Sequence, residues 1–308
     1  MISVLSGGVG AARMLRGILS VVPPADVTAI VNVGDDISLH GLTICPDLDT
    51  VTYTLANATD PERGWGLANE SWQAMSMLTK YGGIDWFNLG DRDLGTHMYR
   101  SQRLAEGASL AQVTAEIAKA WDLELSILPA TCDSLRTMVT LSSGEEVSFQ
   151  EYFVRLAHQV PVQSVRFVGA ESARATDGVL AAMESSEVIV IAPSNPIVSI
   201  GPLLAISEIE KALRSYRHKV VAVSPIIGGA ALKGPADRML NELGHEQSAL
   251  GVAMMYREYA AALVIDSVDE HLVPAIEALD MKCVATNTIM KTKEISAALA
   301  NTVLGVFS

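Results

Sequence analysis

The stretch ISVLSGGVGAARMLRGILSVVPPADVTAIVNV, residues 2–33, decides how the rest of the chain is read. ISVLS is a short apolar run of strand length, and AARMLRGILSVV carries its apolar residues at helical spacing. Pro23 and Pro24 break that helix, and VTAIVNV, residues 27–33, is a second strand. Strand, helix and strand in this order make a βαβ unit. Ser6, Gly7, Gly8 and Gly10 fall between the first strand and its helix. Bare backbone amides at that point meet an anion at a helix N-terminus, where the helix dipole also favours negative charge.

The glycine loop matches neither common phosphate-binding template. No Gly-Lys-Ser/Thr follows it, and although Gly8 and Gly10 supply G-x-G, the third glycine position is Arg13. A tight strand–helix turn is the plain alternative; the βαβ context favours a phosphate or diphosphate.

Further along, apolar runs keep alternating with helical patterns. VQSVRFV, SEVIVIAPS, KVVAVSPI, AALVID and MKCVATN read as strands, separated by helices such as TDGVLAAMESS, LLAISEIEKALRSY and KEISAALANTVLG. The expected fold is α/β, a doubly wound, largely parallel, Rossmann-like sheet with helices on both faces. Residues from about Thr50 to Trp121 are mostly helical in pattern, which places a helical subregion over 50–125 inserted on the sheet. RTMVTLSSGEEVSFQEYFVR, Arg136 to Arg155, alternates apolar and polar residues around SSGEE and reads as a β-hairpin. With no repeat and no long linker, residues 1–308 are read as a single α/β domain.

Composition narrows the partners. The 35 acidic and 22 basic residues leave a formal charge of −13, which argues against nucleic acid and anionic membrane surfaces. No stretch has 18 uncharged apolar residues, and MISVLSGGVG lacks the basic start and cleavage site of a signal peptide. Three widely spaced cysteines, Cys45, Cys132 and Cys283, point to a reduced, cytoplasmic setting with no disulfide framework.

The chemistry-bearing motifs gather at predicted strand ends. NVGDD supplies Asn32, Asp35 and Asp36 after the second strand, where an acidic residue meets a ribose hydroxyl or two aspartates hold a metal. CPDLDTVTYTL places Asp47 and Asp49 just before a helix, either as a magnesium site or as its N-cap. FNLGDRDLGTHMYR packs Asp91, Arg92, Asp93, Thr96 and His97 together. Arg92 there suits an anion and His97 a proton-transfer or hydrogen-bonding role, against the alternative of a capped helix start with an internal ion pair. APSNPIVSIGP offers Ser194, Asn195, Ser199 and Gly201, and SPIIGGAALKGPADRM offers Gly228, Gly229, Lys233 and Gly234 as a second phosphate-reading loop. Trp65, Trp72, Trp86 and Trp121 all fall in the helical stretch, as its core or as a stacking surface for a flat substrate. There is no G-x-S-x-G nucleophile motif.

Taken together, SGGVGAARMLRG, NVGDD, CPDLDTVTYTL, DPERGWG, LGDRDLGTH, FQEYFVR, APSNPIVSIGPLL and SPIIGGAALKGPADRM resemble the 2-phospho-L-lactate transferases of deazaflavin coenzyme (F-420) biosynthesis. The resemblance runs from the first strand to about Met239, and the Val-Gly-Ala-Ala-Arg loop with CPDLDT is closer to the actinobacterial, phosphoenolpyruvate-using type. It implies transfer of a phospho-three-carbon-acid group, 2-phospholactyl or phosphoenolpyruvyl, from a guanosine diphosphate-linked donor. The implied acceptor is the terminal hydroxyl of 7,8-didemethyl-8-hydroxy-5-deazariboflavin, with GMP leaving, magnesium as cofactor and a homodimer as the assembly.

Carried onto this chain, it implies that Gly8, Val9 and Gly10 face the diphosphate. Ser194, Asn195, Gly228 and Lys233 would meet the guanosine or its phosphate, and Asn32, Asp36, Asp49 and Arg92 would complete the substrate contacts. Asp35, Asp47 and Asp49 are the metal candidates; Asp49, Asp47 and His97 are the catalytic candidates, with Asp49 placed on the ribityl chain. Two rival readings remain: a related non-enzymatic, nucleotide-sugar-binding regulator, and an NAD-dependent oxidoreductase, the latter weakened by Arg13.

Overall fold

The computed structural model of the chain describes residues 1–232 and 234–308. Among the described residues, seven strands form one parallel sheet. They are β1 (Ile2–Ser6), β2 (Val27–Val31), β3 (Ser126–Pro129), β4 (Val188–Ile191), β5 (Val220–Val223), β6 (Ala262–Asp266) and β7 (Lys282–Thr286). Their spatial order is β7-β6-β5-β4-β1-β2-β3. This is the Rossmann order, extended by one strand at the far edge. The interior strands β2, β4, β5 and β6 are buried at every position, as expected of strands covered on both faces.

The order reverses between β1 and β4. Right-handed crossovers leading away from that point in opposite directions put their helices on opposite faces. They also open a crevice beyond the carboxyl ends of β1 and β4. The sequence features read above as ligand loops follow β1, β2, β4 and β5 and therefore face this edge.

Helix α1 (Gly8–Ile18) leads from β1 to β2, and its buried face includes Ala11, Ala12, Met14, Leu15 and Ile18. Four helices then lie between β2 and β3: α2 (Pro46–Leu55), α3 (Gln73–Lys80), α4 (Asp93–Ala105) and α5 (Leu110–Ala120). Two carboxylates fix the entries of α3 and α4 reciprocally. Asp91 accepts the Gln73 and Ala74 N–H groups at the start of α3, and Glu70 accepts those of Arg92 and Asp93 at the start of α4. Each thereby satisfies donors that a helix start leaves open.

Two expectations change. Val162–Val168 is not a strand of the parallel sheet; it pairs antiparallel with Arg136–Leu141 in a separate three-stranded sheet. Its alternating exposure is the mark of a one-sided sheet. The hairpin around SSGEE is present as Arg136–Leu141 with Glu146–Ser148, but Glu151–Arg155 winds into a π-helical turn. A further hairpin, Ile37–Leu39 with Leu42–Ile44, closes through His40 and Gly41, both at positive φ.

Candidate active site

The glycine loop is tight because two other segments press on it. A Cβ on Gly7 would lie 2.7 Å from Ser199 Cβ and 3.0 Å from Asp47 Oδ2; one on Gly10 would lie 2.2 Å from the Pro193 carbonyl oxygen. Gly8 has φ +69°, a conformation that favours glycine. Ser194 Oγ donates to the Gly7 carbonyl at 2.7 Å, tying the loop after β4 to the loop after β1. No side chain caps α1, so the first turn at Gly8, Val9 and Gly10 presents backbone donors to the crevice, with the Gly8 N–H directed at Asp47.

Asn32, fully buried at the end of β2, organises the acidic groups. Its Nδ2 donates to Asp35 Oδ1 at 3.1 Å and to Asp47 Oδ2 at 2.9 Å, while its Oδ1 accepts the Gly34 N–H at 2.8 Å. One amide thus joins two carboxylates that arrive from different loops. Gln150, in the turn before the π-helical segment, donates to the Asp35 carbonyl at 3.3 Å.

Burial sets the charge state of this cluster. It pushes Asp35 well above the usual carboxylate range, and the neighbouring Asp47 pushes it further. Asp47 rises to about 6, against the opposing pull of its bonds from Asn32 and Gly8. Asp36 rises to about 7 through burial, opposed by Cys45, Arg100 and Arg136. Acids whose folded pKa is raised make the native state bind more protons than the unfolded chain. Their contribution to stability is therefore complete below about pH 4 and is lost as pH rises through about 6 to 7. Without added divalent cation, the melting temperature is expected to fall between pH 5 and pH 8, by an amount that Asp36→Asn reduces; a flat profile in wild type would contradict the burial argument.

Asp49 lies apart from these three. It sits in the first turn of α2, two residues beyond Asp47, and both of its oxygens are taken by Arg100 of α4. Nη1 of Arg100 donates to Oδ2 at 3.1 Å and Nη2 donates to Oδ1. Arg100 is 2% exposed and His97 1%. His97 Nδ1 lies 3.3 Å from Arg100 Nη1 and 3.7 Å from Asp49 Oδ2; its Nε2 lies 3.2 Å from Asp93 Oδ2. Asp93 Oδ1 accepts the Tyr53 hydroxyl at 2.6 Å. Burial works against charge on Asp93, but His97, Tyr53 and Arg100 outweigh it and hold its pKa below the usual value.

The structure thus sorts the sequence candidates. Asp35 and Asp47 are brought together by Asn32, and Asp49 is held separately. Among the described residues, no group of three or more His, Cys, Asp or Glu side chains is arranged to hold a metal ion, so the trio Asp35, Asp47 and Asp49 is not assembled as one ligand set. Arg92 is exposed and its guanidinium binds the Ala68 carbonyl at 2.6 Å; the arginine beside Asp49 is Arg100. Asn195 turns its Oδ1 back to the N–H groups of Ile197 and Val198, shaping a second π-helical turn, Pro196–Ile200. The Gly228 N–H is engaged by Asp269 Oδ2 at 2.9 Å, and Lys233 lies outside the described residues.

Trp121 packs edge-on against Tyr53, Trp86 against Phe87, and Trp65 and Trp72 against each other, with the Arg63 guanidinium 5.4 and 5.1 Å from their rings. Arg100 and Tyr53 were not singled out from the sequence. Their signal was there as spacing: Asp93, His97 and Arg100 recur at helical intervals on one face of α4, and Asp49 and Tyr53 on one face of α2.

A family model, 2-phospho-L-lactate transferase CofD, matches residues 2–303. The chain is 44% identical over 308 residues to a phosphoenolpyruvate transferase of Kitasatospora aureofaciens, covering 98% of this chain and 96% of that protein. It is 42% identical over 311 residues to a phosphoenolpyruvate transferase of Streptomyces griseus, with 98% and 97% covered, and 40% identical over 327 residues to one of Mycobacterium avium, with 98% and 96% covered. A crystal structure of protein BH3568 from Bacillus halodurans shares the fold, with a TM-score of 0.65 at 16% identity over 98% of both chains.

Proposed function

Because the chain belongs to the 2-phospho-L-lactate transferase CofD family, we propose that it transfers a phosphoenolpyruvyl group from a guanosine diphosphate-linked donor to the terminal hydroxyl of 7,8-didemethyl-8-hydroxy-5-deazariboflavin, releasing GMP, in coenzyme F-420 biosynthesis. The observation that carries this reading is the likeness along nearly the whole chain to relatives named phosphoenolpyruvate transferase. The geometry supports it: an uncapped helix start faces a crevice lined by buried carboxylates at the switch point of the sheet.

In this account the first turn of α1, at Val9 and Gly10, binds the diphosphate of the donor, and the wall built by Ser194 and Asn195 bounds the guanosine side. Asp49, oriented by Arg100, accepts the hydrogen bond of the attacking hydroxyl and aims it at the acid-side phosphorus. The bond formed is acceptor oxygen to phosphorus, with the hydroxyl proton passing to Asp49; the bond broken joins that phosphorus to the bridging oxygen, which departs with GMP. Such transfers depend mainly on positioning and on neutralising charge.

The residues fit magnesium in part. Asp35 and Asp47 form a pair of hard oxygen donors, already adjacent and both driven toward protonation for want of countercharge. Asp49 does not fit, since the Arg100 guanidinium occupies both oxygens. We place the ion on Asp35 and Asp47, where when bound it would neutralise diphosphate charge. Turnover is expected to vanish in EDTA and return with Mg²⁺; full turnover in EDTA would remove this assignment. Release of GMP only when both donor and deazaflavin are supplied tests the transfer itself, and hydrolysis of the donor without acceptor transfer would refute it.

A further inference from the structure

We infer that Arg100 and His97 act as positioning residues for Asp49, through a buried network of polar contacts that joins α4 to α2. The inference rests on the transfer reading above and adds to it the device that fixes the carboxylate.

A guanidinium only donates, so the 3.3 Å contact between Arg100 Nη1 and His97 Nδ1 requires Nδ1 to be the unprotonated, accepting nitrogen. The proton of a neutral imidazole is then on Nε2, which lies 3.2 Å from Asp93 Oδ2 but makes no hydrogen bond to it. Asp93 is itself held by the Tyr53 hydroxyl, which also lies 2.8 Å from Thr96 Oγ1. Burial and the nearby Asp49 and Asp93 charges push the Tyr53 pKa up, keeping the hydroxyl a donor. The contacts therefore run Tyr53, Asp93, His97, Arg100, Asp49, leaving α2 at Tyr53, passing along α4 and returning to the first turn of α2 at Asp49.

Each link removes one freedom of the next. His97 Nδ1 at 3.3 Å and the Thr43 carbonyl at 3.4 Å give Arg100 Nη1 further acceptors besides Asp49, so the guanidinium plane cannot rotate without losing contacts. The fork in turn spans both Asp49 oxygens, which fixes the carboxylate plane. A mere brace between two helices would not call for this arrangement, because a buried ion pair stabilises no better than well-packed apolar residues. Its site adds weight: Asp49 shares a helical turn with Asp47, beside the glycine loop, and the Asp49 and Arg100 charges are felt at Asp36. His97 is thereby a positioning residue and not a proton-transfer group.

Arg100→Lys keeps the charge but loses the fork, and kcat/KM for the deazaflavin acceptor is expected to fall on the order of a hundredfold. The product-inhibition constant for GMP, which reports the donor half, is expected to stay unchanged. Two histidine variants separate positioning from packing. His97→Asn retains an acceptor near the Nδ1 position and is expected to stay within a few-fold of wild type; His97→Gln mimics only the Nε2 side and is expected to lose about tenfold or more.

In an Asp49→Asn background, Arg100→Lys is expected to add little, since both act through one carboxylate. Nitrogen NMR of the His97 ring is expected to show the Nε2-protonated form in wild type. Equal losses for both histidine variants, parallel loss of acceptor and donor constants, additive effects in the double variant, or an Nδ1-protonated ring would each overturn the inference. A wild-type enzyme that transfers nothing would instead overturn the transfer reading, and leaves a distinct signature because no variant comparison is then needed.

Discussion

Asp49→Asn is expected to lower turnover about a thousandfold, in the middle of the range for a positioned proton acceptor, with the fold intact. Asparagine keeps the shape and one oxygen, so Arg100 retains a partner while the negative charge is lost. Alanine is the worse probe. It would leave a guanidinium that is 2% exposed with no carboxylate, a change that costs about 3–5 kcal/mol when a buried ion pair is broken. Burial works against the charge on Arg100, and the Asp49 carboxylate more than offsets it; this is the balance that alanine would upset. Rates of GMP release, read beside thermal melting, separate the two effects. Near-normal turnover by a folded Asp49→Asn enzyme would remove Asp49 from the reaction.

Gly10→Ala is the second large effect. Its new Cβ would stand 2.2 Å from the Pro193 carbonyl oxygen, and a backbone atom cannot rotate aside. The loop after β4 must move, which costs about 1–3 kcal/mol for overpacking of this kind. The same shift would displace the wall that Ser194 anchors to Gly7, and GMP affinity is expected to fall about tenfold, the equivalent of 1.4 kcal/mol. Gly95→Ala supplies the control. It lies within α4, its Cβ would meet nothing within 4 Å, and it is expected to stabilise by up to about 1 kcal/mol. Equal melting temperatures and equal GMP affinities for the two variants would contradict the close approach.

The contrast between what could and could not be read along the chain has physical causes. The βαβ start was legible because β1, its glycine turn, α1 and β2 are contiguous and each follows its own periodicity. Val162–Val168 was misread because its apolar residues were counted and its alternation was not; a strand of the parallel sheet would be apolar on both faces, as Val220–Val223 is. Ser126–Pro129, four residues at the sheet edge, gave too short a pattern to separate from its surroundings.

At the site, Asp47 and Asp49 lie two residues apart in sequence yet part ways in space. One turns to Asn32 and the other to Arg100, 51 residues further along. Nothing local distinguishes Arg92 from Arg100. Glu70, by capping the start of α4, fixes the Arg92 end of that helix in an exposed position, whereas Arg100 falls on the face that meets α2. Long-range pairing of this sort is a property of the assembled fold, and helical spacing shows only which residues share a face.

Mass spectrometry of the reaction products reads the transfer itself. The purified protein is incubated with the deazaflavin acceptor, Mg²⁺ and, in separate reactions, the guanylylated enolpyruvyl and lactyl acids. The expected product is the enolpyruvyl adduct, about two mass units lighter than its lactyl counterpart because it has two fewer hydrogens, formed together with GMP. The lactyl adduct alone would keep the chain a transferase but overturn the choice of donor. No adduct from either donor, by a protein that still binds guanosine nucleotide, would contradict the account.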